Sequence, residues 1–120
     1  MKKQLMVVDD SRMAELQIRK LLEDSDYEVA AYCENGEEAI ARYDEIRPDV
    51  VTMDIIMPGI DGLETAQIIL EEHPDAKIIM ISSLVCDDTI HDASTIGAMT
   101  FLYKPVSRDS LLRALENAVR

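Results

Sequence analysis

Basic residues are scarce in this chain of 120 residues: 12 lysines and arginines stand against 24 aspartates and glutamates, a formal net charge of −12. So acidic a molecule repels phosphate backbones and anionic lipid alike, which all but rules out direct nucleic-acid binding and gives no grip on a membrane surface. Long apolar runs are missing as well. None approaches the roughly 20 residues that cross a bilayer, and the opening Met1-Lys2-Lys3-Gln4 leads into a short apolar stretch that stops at two aspartates, unlike a secretory signal. The chain is expected to be soluble and cytoplasmic. Cysteine is limited to Cys33 and Cys86, isolated and outside any C-x-x-C pattern. Two half-buried free thiols are expected, and zinc or redox chemistry is set aside. Repeats, low-complexity stretches and Pro/Gly/Ser linkers are absent too. With 48% hydrophobic residues in this length, one core is expected, in a single domain over residues 1–120.

What the chain does have is four short, nearly continuous apolar runs: Leu5-Met6-Val7-Val8, Val50-Val51-Thr52-Met53, Ile78-Ile79-Met80-Ile81 and Phe101-Leu102-Tyr103. Runs without alternation suit strands buried on both faces. Glu28-Val29-Ala30-Ala31-Tyr32 is more polar and reads as an edge strand, which makes five. Helical spacing fills the intervals. Ala14, Ile18, Leu21 and Leu22 follow the N-cap candidate Ser11, and Ala39, Tyr43 and Ile46 follow Asn35-Gly36. Leu63, Ala66 and Leu70 follow Asp61-Gly62; Ile90, Ala93 and Ile96 precede Gly97; Leu111, Leu112, Leu115 and Val119 follow Ser107. Five helices alternating with five strands predict right-handed βαβ units in a doubly wound α/β domain with a parallel sheet.

In such a sheet, ligands bind along the edge where the strands end. The residues expected there are Asp9 and Asp10, Asp54, Ser82 and Ser83, and Lys104. Each taken singly is an ordinary turn or capping residue; complementary groups ending four different buried strands at one edge are not. Crowded carboxylates repel one another unless a cation lies among them, and hard oxygen donors with room for water point to Mg²⁺. The lysine serves as a point charge for a carboxylate or a phosphoryl oxygen. Together they suit phosphoryl transfer to an oxygen nucleophile.

The motifs Val7-Val8-Asp9-Asp10-Ser11, Met53-Asp54-Ile55-Ile56-Met57-Pro58-Gly59-Ile60-Asp61-Gly62, Ile81-Ser82-Ser83 and Phe101-Leu102-Tyr103-Lys104-Pro105 resemble those of the receiver domain of bacterial two-component response regulators. The likeness runs over essentially the whole chain and is strongest to stand-alone receivers of the chemotaxis type. The resemblance implies the flavodoxin-like strand order 2-1-3-4-5 and a phosphorylation-activated switch that is not a turnover enzyme. It also implies a role for each matching residue. Asp54 would accept phosphoryl from a histidine kinase. Asp10 would bind Mg²⁺ directly and Asp9 through water, with the backbone carbonyl of Ile56 as a further contact. Ser82 would hydrogen-bond the phosphoryl group and Lys104 would pair with it. Phe101 matches the aromatic switch position, which moves with Ser82, and Lys104-Pro105 matches a cis peptide bond.

This chain departs from many relatives two residues past Asp54 and two past Ser82, where Ile56 and Leu84 replace polar side chains; both bear on the dephosphorylation rate. Between Pro48 and Tyr103 the only basic residue is Lys77, against Asp49, Asp54, Asp61, Glu64, Glu71, Glu72, Asp75, Asp87, Asp88 and Asp92. The resemblance places the output face on the fourth helix, fifth strand and fifth helix. Its acidity favours a monomer docking one-to-one on a basic partner over self-dimerisation, with a merely solvated acidic helix as the alternative. Met13, Met57 and Met99 read as packing residues. Two other functions fit part of the pattern. A haloacid-dehalogenase-type aspartyl phosphatase would want a D-x-D motif and a longer chain, and a constitutive pseudo-receiver would not need the complete set Asp9, Asp10, Asp54, Ser82 and Lys104.

Overall fold

In the computed structural model, which describes residues 2–82 and 100–119, the apolar runs lie side by side. β1 (Lys3–Val8), β2 (Tyr27–Cys33), β3 (Val50–Asp54), β4 (Ile78–Ser82) and β5 (Thr100–Tyr103) form one parallel sheet in the order β2-β1-β3-β4-β5. The described helices are α1 (Arg12–Leu21), α2 (Gly36–Ile46), α3 (Gly62–Glu72) and α4 (Arg108–Ala118). Successive strand residues point to opposite faces, and both faces are covered. Met6, Val8, Met53, Ile78 and Met80 meet Ala39, Tyr43, Ala66 and Ile69 of α2 and α3. Leu5, Val7, Ile79 and Ile81 meet Ile18 of α1 and Leu111 and Leu115 of α4. Double coverage is why the central strands read as continuous apolar runs. Burying each such side chain contributes about 1.5–3 kcal/mol. β2 is the edge, with Glu28 and Ala30 exposed, and its register against β1 shifts between Leu5 and Met6.

Each described helix begins on a side chain that accepts a backbone N–H otherwise left without a partner. Ser11 Oγ takes Ala14 N–H, Asn35 Oδ1 takes Glu38 N–H, Asp61 Oδ1 takes Glu64 N–H and Ser107 Oγ takes Ser110 N–H. These caps start each helix a few residues beyond the strand before it.

Three expectations need correction. The fold has four helices among the described residues, not five: Ile90, Ala93 and Ile96 lie within residues 83–99, outside that set. Cys33 is wholly buried instead of half-buried, since the end of β2 tucks under α2, and burial followed by the field of Glu38 pushes its thiol up to about 12. Met13 is 67% exposed and packs on nothing in the core, whereas Met57 is buried; α1 turns Ile18 and Glu15 inward and leaves position 13 outside. Cys86 and Met99 lie outside the described residues.

Candidate functional site

Asp9 directly follows β1, Asp54 and Ser82 are the last residues of β3 and β4, and Lys104 directly follows β5. Asp9 and Asp54 are buried, at 3% and 7% exposure, while Asp10 is open to solvent. One carboxylate oxygen from each of Asp9, Asp10 and Asp54 lies within 4.8 Å of the others. Lys104 Nζ reaches into the group from the end of β5, 2.9 Å from Asp9 Oδ2 and 3.6 Å from Asp54 Oδ1. The other oxygen of Asp9 accepts the Ser11 N–H at 2.9 Å, so the start of α1 orients it.

The chain just past Asp54 is tied to the start of α3. Gly62 N–H donates to the Ile55 carbonyl at 2.7 Å. A Cβ built on Gly62 would stand 2.0 Å from the Asp54 carbonyl oxygen and 2.7 Å from Ile55 Cα, so only glycine lets α3 begin this close to the strand end. The sequence shows Asp61-Gly62 as a helix start but not this second duty. Glu15 was also missed. It is fully buried in α1 and pairs with Arg12 at 3.2 Å and with Arg19. The guanidinium of Arg12 lies 5.2 Å from the Tyr32 ring centroid. The visible signal was the i, i+3 and i, i+4 spacing of opposite charges.

One ammonium does not balance three carboxylates. Burial, then the charge of Asp9, raises the Asp54 carboxyl to about 6, with Lys104 pulling the other way. For Lys104, burial works against the charge, but the hydrogen bond to Asp9 and the field of Asp54 prevail and hold it protonated. The uncompensated negative charge and the all-oxygen donor set fit a small hard cation, and Mg²⁺ suits them best.

Ser82 is buried, and its carbonyl accepts the Lys104 N–H at 2.9 Å. The parallel register sets Asp54 opposite Ile81, so Ser82 stands one residue further toward the same edge. The Lys104-Pro105 peptide bond is cis. Phe101, half-buried, packs against the core on the α2/α3 face and tilts against Tyr103 with ring centroids 5.2 Å apart. Ile56 is 52% exposed at the mouth of the site. Ser83 and Leu84 lie outside the described residues.

A parallel sheet in the order β2-β1-β3-β4-β5 with an acidic cluster and a lysine at its carboxyl edge defines a class of phosphorylated signalling domain, and the comparisons agree. The profile of the response regulator receiver domain matches residues 5–116. The chemotaxis protein CheY of Listeria monocytogenes is 44% identical over 116 residues, covering 97% of this chain and 98% of that protein. CheY of Thermotoga maritima is 35% identical over 115 residues, 96% of each. A crystal structure of the CheX–CheY–BeF3–Mg²⁺ complex from Borrelia burgdorferi superposes with a TM-score of 0.90 at 31% identity, covering 94% of this chain and 86% of that one. The chain belongs to the response regulator receiver domain family. It is a CheY-like, phosphorylation-activated switch of a two-component system, not a turnover enzyme, and its Asp9, Asp10 and Asp54 cluster matches the family's Mg²⁺ site. Such receivers work with histidine kinases. No helix among the described residues is long and apolar enough to cross a membrane.

Proposed function

We propose that Asp54 is the phosphoacceptor and that residues 1–120 work as one receiver unit. The observation that carries this reading is the position of Lys104, whose ammonium is divided between Asp9 at 2.9 Å and Asp54 at 3.6 Å beside a third carboxylate, that of Asp10. An Asp54 oxygen attacks the phosphorus of a kinase phosphohistidine; the P–O bond forms as the P–N bond breaks, and the imidazole leaves and takes up a proton. Lys104 neutralises the incoming oxygens and Ser82 hydrogen-bonds one of them. Asp10 and Asp54, Asp9 through water and the carbonyl of Ile56 would hold Mg²⁺, which would supply the remaining positive charge when bound. Hydrolysis reverses the state: water attacks phosphorus, the bond to Asp54 breaks, and the carboxylate returns.

Phe101 is the switch residue, its ring filling space released as Ser82 moves toward the phosphoryl group. The output is a change of surface around β5, α4 and the stretch before β5 that carries Asp87, Asp88 and Asp92, expected as a helix and outside the described residues, where a partner with a basic face docks one-to-one on a monomeric, cytoplasmic receiver. Ile56 and Leu84 set the lifetime of the phosphorylated state. Incubating the protein with Mg²⁺ and phosphoramidate, then weighing it intact, tests the central assignment. The expected result is a gain of one phosphoryl group that Asp54→Asn abolishes; an equal gain in that variant overturns it.

A further inference from the structure

Both ends of α1 are tied to the short segment that runs from Lys104 into α4. At the site end, Asp9 accepts the Ser11 N–H through one oxygen and the Lys104 ammonium through the other, each at 2.9 Å. At the far end, Arg108, the first residue of α4, donates from Nη1 to the carbonyls of Leu21 at 2.7 Å and Glu23 at 2.8 Å. Local turns account for neighbouring carbonyls: Leu22 N–H bonds back to Ile18 and Arg19, Glu23 N–H to Lys20, and Ser25 N–H to Leu22. Arg108 supplies donors that the end of α1 needs, and its positive charge sits at the negative end of the helix dipole.

Between these two ties the flank of α1 and residues 105–106 share an open groove, although Ile18, Leu21 and Val106 join one apolar cluster beneath it. A groove of about 310 Å³ separates the flank of α1, at Ala14, Ile18 and Leu21, from Pro105 and Val106, with Asp9 and Lys104 at one end. A second hollow, lined by Lys20, Val106 and Arg108 among others, continues past the other. Where side chains interdigitate, packing sets the spacing of two elements to within a methyl group. Here the open groove loosens that constraint, and the ties at its ends share in setting the spacing.

We propose that Arg108 is a positioning residue for the Lys104–Asp9 pair. By anchoring the start of α4 on the last carbonyls of α1, it fixes the separation of α1 from residues 104–106, and with it the division of the Lys104 ammonium between Asp9 and Asp54. The inference rests on the reading of Lys104 as the cation that meets the incoming phosphoryl group. Arg108 touches no reacting atom. Its influence passes through the two segments it joins, so it vanishes when Lys104 has no ammonium to place.

The test is a double-substitution cycle read as the initial rate of phosphorylation by phosphoramidate at saturating Mg²⁺. Arg108→Ala is expected to lower the rate roughly three- to tenfold, the cost of misplacing a reacting partner by a fraction of an ångström. Arg108→Lys, which can still reach a carbonyl, should recover part of it. In the Lys104→Ala background, Arg108→Ala should cost nothing further. In the Arg108 variants with Lys104 intact, Mg²⁺ affinity should stay within about twofold, because each metal-binding carboxylate is retained. A full-sized loss in both backgrounds, or no loss in either Arg108 variant, overturns the proposal. If Lys104→Ala alone leaves the rate unchanged, it is the reading of Lys104 that falls. Should Arg108→Ala fail to fold, the partial loss in Arg108→Lys and its disappearance in the Lys104→Ala background carry the same test.

Discussion

At the scale of single residues, the site is a charge imbalance waiting for a cation. Asp54 takes its proton near pH 6 in the folded chain and near 3.8 when free, chiefly because it is buried. Between those values the native state binds more protons than the unfolded chain. The contribution of Asp54 to stability is therefore fully present below about pH 4 and lost as pH rises through 6. Asp54→Asn should stabilise the metal-free protein at pH 7.5 by roughly 1–3 kcal/mol and leave it nearly unchanged at pH 4; thermal melts at the two values measure this. The same proton competes with the metal, so Mg²⁺ affinity should fall as pH drops below about 6. Asp10→Asn removes a full negative charge from the cation's shell while hardly touching the fold, since Asp10 is exposed. Calorimetry should show Mg²⁺ binding weakened on the order of tenfold or more, and equal affinity would remove Asp10 from the ligand set. Ile56 offers no hydrogen bond to align a hydrolytic water. Replacing Ile56 with Asn together with Leu84 with Glu should speed loss of phosphoryl label in Mg²⁺ without kinase; an unchanged decay would clear both residues of that role.

At the scale of elements, the contact that matters most is the one a side chain would abolish. The start of α3 meets the end of β3 through Gly62, with the Asp54 carbonyl oxygen where a Cβ would go. Gly62→Ala must push helix and strand apart, at a cost of about 2–4 kcal/mol read from urea unfolding. Because the displaced atoms belong to the strand end carrying Asp54, the phosphorylation rate should fall even where the variant remains folded. Loss of stability with an unchanged rate would mean that α3 does not aim the carboxylate.

At the scale of the whole molecule, a local charge event has to reach a surface. Phe101 sits in register with Met80 and packs against the core under α2 and α3. A shift at Ser82 thus meets, through β4 and β5, a ring that can reorient only if the neighbouring packing gives way. Backbone chemical shifts recorded with and without fluoroberyllate should change beyond the residues touching Asp54, at Phe101, Tyr103 and the start of α4. Changes confined to the immediate surroundings of Asp54 would leave a phosphoryl carrier with no switch.

Much of this was legible in order along the chain. Continuous apolar runs marked strands covered on both faces, and Ser11, Asn35, Asp61 and Ser107 marked helix starts. The residues that leave the strands, Asp9, Asp54, Ser82 and Lys104, followed from where each run stops, because strand ends in a parallel sheet share an edge. Sequence by itself determined those elements and that edge, since both depend on local propensity and on the alternation of buried faces. It could not determine distances between segments far apart in the chain. That Lys104 lies nearer Asp9 than Asp54, that Gly62 abuts the Asp54 carbonyl, that Glu15 is buried between two arginines and that Arg108 closes the end of α1 were decided by the tertiary structure alone. Each depends on how helices settle on the sheet, and that is set by the volumes and hydrogen bonds of many residues together, with no single stretch of chain carrying the information.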